Sequence, residues 1–252
     1  LAIDEISIGA GHNYLTIVLD LDSGAVIFVG DGKGADALIP FWRRLKLSGA
    51  TIEAVAIDMS RAYIQAVREN LPKAVVVFDH FHVIKLYNDR LSDFRRQLFN
   101  QIEDPQKKQV VKGTRWLLLK NPENLNADRS EPNRLKAALE LNQPLAAAYY
   151  MKEDLRQAWN QPDKETARTF LTDWVYRAGS SMVPMLAKMA RTIATHFHGI
   201  LAYYDYPIST GPLEGTNNKI KTMKRQAYGF RDNQFFKLKI MALHNTKYAL
   251  VG

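Results

Sequence analysis

The chain has 252 residues, with 34 Lys+Arg against 26 Asp+Glu, a formal net charge of +8 and a sequence pI near 9.5. Hydrophobic residues at 46% and charged residues at 24% describe a globular chain long enough for a sizeable core in one or two domains, which excludes a disordered protein. There is no cysteine, which excludes disulfides and thiolate zinc sites, and neither a signal peptide nor a membrane-length apolar run is present, so a soluble intracellular protein is expected.

The basic balance favours a polyanionic partner, most simply nucleic acid. The charge is unevenly spread. Residues 1–60 hold eight acids and four bases, whereas residues 210–252 hold two acids and eight bases. An acidic front and a basic rear are what a metal centre beside a phosphate track needs. The first residue is leucine and opens directly on a strand-like pattern, so the reading is of a segment from a longer chain.

In chain order, Leu1 to Ile8 alternates as a strand with Asp4 and Glu5 inside it. Asn13 to Asp20 is a second strand, Asp22-Ser23-Gly24 a turn, and Ala25 to Val29 a third strand, together an antiparallel meander. Ala35 to Leu47 is helical in period, with a break or a late start at Pro40. Ile52 to Ile57 is a short strand ending at Asp58, after which Ser60 caps a helix to about Asn70. Ala74 to Phe78 is a continuous apolar strand of the kind buried on both faces of a parallel sheet, and His80 to about Gln101 is a long amphipathic helix. The order β-β-β-α-β-α-β-α, with the last two strands delivered by crossovers, is that of a ribonuclease H-like fold.

From about 102 to 205 nearly every segment is helix-forming, with breaks at Pro105, Pro122, Pro132, Pro144, Pro162 and Gly179. Trp116, Trp159 and Trp174 sit among helical apolar positions and are expected in the core. The region reads as an all-helical insertion. The expected division is therefore a first core part at 1–101, the insertion at 102–205, and a second core part at 206–252.

The last stretch, GPLEGTNNKIKTMKRQAYGFRD, runs from Gly211 to Asp232. Ser209 and Thr210 are N-cap candidates, Pro212 suits a first helical turn, and Gly229 suits a left-handed end. Glu214, Asn218, Lys221 and Arg225 recur at i, i+4, i+7 and i+11 and share one stripe. An acid followed by an amide and two bases suits a surface that holds a metal at one end and phosphates along the rest. A solvated face is the alternative.

Asp4 lies in an apolar strand, where a carboxylate is costly unless paired or bound to metal. Asp58 ends a strand at the carboxyl edge, where sites in α/β sheets open. In the expected topology the two strands are neighbours, so the two carboxylates can converge, and a hard divalent cation would remove their repulsion. With Glu214 they make three carboxylates, enough for two Mg²⁺ or Mn²⁺ ions about 3.5–4 Å apart, the arrangement used for phosphoryl displacement. The competing reading is that Asp58 caps the next helix and Asp4 faces solvent.

IDEISI at the start, VAIDMSRAYIQAV around Asp58, VVVFDHFHVIKL around Asp79 and the Gly211–Asp232 block resemble the four blocks of a bacterial insertion-sequence transposase, of the ISL-three group of DDE transposases. The resemblance covers essentially the whole chain, and its last block is the most specific. It implies a ribonuclease H-like catalytic domain, Asp4, Asp58 and Glu214 as the metal-binding triad, and an inserted helical domain before the glutamate. It also implies an upstream zinc-binding and helix-turn-helix region, DNA as partner, a homodimer on DNA, and a cytoplasmic, nucleoid-associated place of action. Asp79 to His82 matches a D-x-x-H signature of insertion-bearing DDE transposases, in which His82 orients a carboxylate or touches the scissile phosphate. The alternative is a helix start capped by Asp79, with His82 satisfied by a hydrogen bond.

A zinc site from His80, His82, His196 and His198 is conceivable by residue type, but His196 and His198 point apart on a helix. His12 and His244 read as ordinary histidines. Lys219, Lys221, Lys224, Arg225 and Arg231, with Asn218, Tyr228 and Phe230 among them, suit backbone contacts and base stacking on DNA. Lys85, Arg90, Arg95 and Arg96 add charge on the helix after His80. The expected activity is metal-dependent DNA cleavage followed by strand transfer. A metal-dependent nuclease of the same fold and an inactive DNA-binding module are the alternatives.

Overall fold

A computed structural model describes residues 1–9, 11 and 13–243, so His12 and His244 lie outside the described residues. The chain divides into two compact units, Leu1–His80 with His198–Gly252, and Phe81–Phe197.

The first unit is built on a mixed five-stranded sheet. Its strands are β1 (Ala2–Ser7), β2 (Tyr14–Leu19), β3 (Val26–Asp31), β4 (Ala54–Ile57) and β5 (Val75–Phe78), in the order β3-β2-β1-β4-β5. β1, β2 and β3 pair antiparallel because their connections are short, whereas β1–β4 and β4–β5 are parallel and separated by helices. The first and fourth strands are thus neighbours, as their sequence order requires of this topology. All four residues of β4 are buried, while β5 buries Val77 and Phe78 and leaves Val75 and Val76 partly covered, because it forms the sheet edge.

Pro40 delays the first helix as expected. A 3-10 turn at Ala35–Leu38 precedes α1 (Ile39–Ser48), which takes the proline in its first turn, where no N–H is needed. Next come α2 (Arg61–Asn70) and, after β5, α3 (His80–Gln101). Ser60 occupies the N-cap position of α2 but makes no side-chain cap bond; its own N–H donates to Asp58 Oδ1 at 2.8 Å. On one face of the sheet Thr16 Oγ1 lies 3.2 Å from Tyr63 Oη of α2. On the other face α10 (Gly211–Gln226) and α11 (Asn233–Met241) bury Leu213, Ile220, Phe236 and Ile240 against Ala2, Ile6, Ile17 and Ala56. Lys237 of α11 pairs with Asp31 at the end of β3.

The second unit is helical throughout its described secondary structure. After α3 come α4 (Pro105–Lys112), α5 (Arg115–Leu119), α6 (Glu131–Glu140), α7 (Gln143–Arg156), α8 (Lys164–Ser180) and α9 (Pro184–Leu201). Pro105, Pro132, Pro144 and Pro184 each fall in a first turn, so these prolines begin helices. Gly179 does not break its helix, since α8 continues to Ser180. Trp174 is fully buried, donates to the Met151 carbonyl at 2.8 Å and meets Tyr87 edge-on. Trp159 is half-buried. Trp116 departs from expectation: it is 65% exposed with the Arg115 guanidinium 4.7 Å from its ring, because α5 has only five residues and spends its inward face on Leu117 and Leu118.

Gly199 near the end of α9 is present for close approach. A Cβ there would overlap the ring of Phe78 in β5, next to Asp79. Glycine inside a helix costs up to about 1 kcal/mol relative to alanine, so an alanine would be preferred were there room. Gly199→Ala is expected to lower the free energy of unfolding by about 1–3 kcal/mol through overpacking. Urea denaturation checks this, and an unchanged or higher midpoint would show that the contact is slack.

Candidate active site

The parallel register of β1 against β4 is set by the pair Ala2 and Ala56, with the Ala56 N–H donating to the Leu1 carbonyl at 2.8 Å. Two residues beyond that pair come Asp4, within β1, and Asp58, the first residue after β4. Alternation puts Asp4 with Ala2 and Ile6 on the face that α10 covers. Both acids are half-buried. Asp58 Oδ1 accepts the N–H of Ser60, the N-cap residue of α2, and so closes the turn before that helix.

The contact between α10 and Asp4 is made by Asn217, whose Nδ2 donates to Asp4 Oδ2 at 3.0 Å. Leu213, Asn217 and Ile220 recur at i, i+4 and i+7 and form the buried stripe of the helix. Asn217 is only 5% exposed, and its Oδ1 is buried without a hydrogen-bond partner in the protein. A buried amide oxygen left unsatisfied costs about 1–3 kcal/mol, so this atom marks a place where a polar ligand would be welcome. Glu214 sits almost one turn before Asn217, on the exposed flank of the first turn of α10.

The start of α10 is anchored from β5. Thr210 is the N-cap residue but makes no cap bond; its hydroxyl instead donates to Asp79 Oδ2 at 2.5 Å. Ser209 Oγ accepts the Gly211 N–H at 3.2 Å. Asp79 is buried, and its Oδ1 lies 3.2 Å from His80 Nδ1, a bond that raises the imidazole pKa against the opposing effect of burial. Asp79 thus ties β5 to the helix that carries Glu214. His82 belongs to the second unit, half-buried, with Phe81 edge-on to its ring.

The outer side of α10 is basic. Asn218, Lys219, Lys221 and Arg225 are exposed, Lys224 is half-buried, and Arg231 is exposed beyond the helix. Among the described residues no carboxylate pairs with any of these five cations. Gly229 takes φ 99 at the left-handed end, as expected of glycine, but Tyr228 also takes φ 51 and is fully exposed. No group of three or more His, Asp or Glu side chains among the described residues stands ready to hold a metal, and this applies to the histidine quartet as well.

The family model described as Transposase, of the DDE ISL3 type, matches residues 1–240. This chain belongs to the ISL-three family of DDE transposases. It is 37% identical over 245 residues to the transposase of insertion sequence element IS1001 from Bordetella parapertussis, covering 96% of this chain and 60% of that protein. It is 30% identical over 257 residues to the transposase of insertion sequence element IS1557 from Mycobacterium tuberculosis, covering 93% of this chain and 57% of that one. The chain therefore spans about three fifths of the length of these relatives.

In this ISL-three chain the geometry draws attention to two residues beyond the acids. Asn217 had a local signal, being a polar residue at the centre of an apolar i, i+4, i+7 stripe. Thr210 had none, since its partner Asp79 lies 131 residues away in sequence.

Proposed function

We propose that this chain is the catalytic region of an insertion-sequence transposase, which cuts DNA at the element's ends and joins the freed 3′ ends to target DNA. The observation that carries the reading is the parallel pairing of β1, which holds Asp4, with β4, which runs into Asp58, together with the bond from Asn217 of α10 to Asp4. Membership of the family supports it. The chain is read as a ribonuclease H-like core, over 1–101 and 206–252, interrupted by a helical insertion at 102–205.

The donor set fits a hard divalent cation. Asp4, Asp58 and Glu214 offer only oxygen, and Asn217, bonded to Asp4 through its nitrogen, carries a buried oxygen without a partner. Mg²⁺ takes one or two carboxylates with water and substrate phosphate, so Asp4 and Asp58 suffice for a first ion and Glu214 completes a site for two. Bound there, Mg²⁺ or Mn²⁺ would supply an activated nucleophile and neutralise charge on the leaving oxygen.

The protein's own residues do the positioning. Asn217 fixes Asp4, and the Asp79–Thr210 bond fixes the turn from which Glu214 projects. Lys219, Lys221, Lys224, Arg225 and Arg231 hold backbone phosphates with little sequence information, and Tyr228 stacks on a base. Two ends must be handled together, so the working form is a homodimer on DNA, acting at the bacterial nucleoid.

A metal-dependent nuclease of the same fold would use the same acids. Pre-cut DNA with a free 3′-hydroxyl at the element's end, incubated with target DNA and Mg²⁺, separates the two. Joined product is expected. Target hydrolysis without joining would overturn strand transfer in favour of the nuclease, and DNA binding indifferent to metal and to Glu214→Gln would favour a module without chemistry.

A further inference from the structure

The helical unit carries a groove that the proposed chemistry does not use. A cavity of about 520 Å³ opens between α3 and the first turns of α9, lined by Arg90, Lys188 and Arg191 with Phe94 and Met185. Phe94 and Met185 are buried and make an apolar floor, while Lys188 and Arg191 are exposed.

Arg90 is half-buried, and its Nη1 donates to Met189 Sδ at 3.1 Å. A thioether is a weak acceptor, and burial lowers the guanidinium pKa, as expected of a cation short of compensation. Among the described residues no carboxylate pairs with Arg90, Lys188 or Arg191. The acid on the groove's wall, Asp93, is engaged by Arg96 at 3.3 Å. Three cations thus line one apolar-floored cleft with a single acid, and among the described residues none of the three is paired with a carboxylate.

We infer that this groove binds the sugar–phosphate backbone of DNA, with phosphate oxygens on Arg90, Lys188 and Arg191 and deoxyribose against Phe94 and Met185. A fork of guanidinium donors suits phosphate oxygens, and the long stems of lysine and arginine let the charges reach past the rim. The inference rests on the reading of the chain as a DNA-acting protein, and it adds a second element of that binding surface. Charge pattern singled out Arg90 on its helix; Lys188 and Arg191 join it only in the folded unit.

The test is the affinity of the full chain for a mixed-sequence DNA duplex, measured by fluorescence anisotropy across a salt series. Lys188→Gln with Arg191→Gln is compared with two other charge-matched pairs. These are Lys107→Gln with Lys112→Gln on α4, and Lys221→Gln with Arg225→Gln on α10. All six side chains are exposed, so folding is not at stake. Each phosphate contact contributes about 0.9 to the slope of log affinity against log salt, so the groove pair is expected to flatten that slope by about 1–2 and to weaken binding about tenfold or more. The α4 pair is expected to change affinity less than about twofold, as its charges act only at long range. A groove pair that behaves like the α4 pair, while the α10 pair weakens binding, would overturn the groove and leave the DNA reading standing. Absence of salt-sensitive binding by the unaltered chain would overturn both.

Discussion

Asp58→Asn is expected to reduce DNA strand cleavage and strand transfer by about a hundredfold to a thousandfold or more, the scale on which removing one electrostatic stabiliser of a transition state acts. The substitution is clean because asparagine keeps the oxygen that accepts the Ser60 N–H, so the turn after β4 survives. Removing a charge beside Asp4 also relieves repulsion in the metal-free protein, so the melting temperature should hold or rise. Asp4→Asn and Glu214→Gln are expected to act in the same way. Asparagine at position 4 can still accept from Asn217, and Glu214 is exposed and carries no packing burden. Cleavage and joining assays beside thermal melts measure both quantities. Wild-type turnover by Asp58→Asn would remove that carboxylate from the chemistry.

Asn217→Leu separates positioning from folding. Leucine matches asparagine in shape and would complete the apolar stripe of Leu213 and Ile220. It removes a buried oxygen that has no partner, a gain, and a hydrogen bond to a half-buried carboxylate, a loss. Each effect is about 1–3 kcal/mol and the two oppose each other, so stability should change by no more than about 2 kcal/mol. Activity is expected to fall about 10- to 100-fold, the usual cost of losing a group that orients a metal ligand. Apparent Mg²⁺ affinity should weaken with it. Asn217→Asp is the informative companion. It keeps the shape but sets a carboxylate against Asp4, so it should lose both stability and activity. Should Asn217→Leu retain full activity with unchanged Mg²⁺ dependence, the contact is packing alone.

How far these features could be read beforehand depended on the range of the interaction. Strand order was legible because short turns force β1, β2 and β3 into a meander while helical connections make β4 and β5 parallel. That order alone brought Asp4 and Asp58 to neighbouring strands. The bounds of α3 and the left-handed Gly229 followed from local chemistry. What escaped was decided at long range or between near-equal choices. Asn217 and Asn218 are adjacent, and the charge stripe through Glu214 drew attention to the exposed one. The apolar positions Leu213 and Ile220 select Asn217 to face the sheet. Thr210 looks like an ordinary cap until Asp79 takes its hydroxyl. Trp116 reads as core in an apolar run, but α5 is too short to bury it.

The central claim is that Asp4, Asp58 and Glu214 hold divalent metal for phosphoryl transfer. Manganese soaked into crystals of the protein with a DNA end bound, and located by anomalous scattering, tests it most directly. The account predicts a peak between Asp4 and Asp58 on the α10 side of the sheet, with Glu214 drawn in to complete the site. Ordered carboxylates that point apart around bound DNA, with no manganese among them, would contradict it.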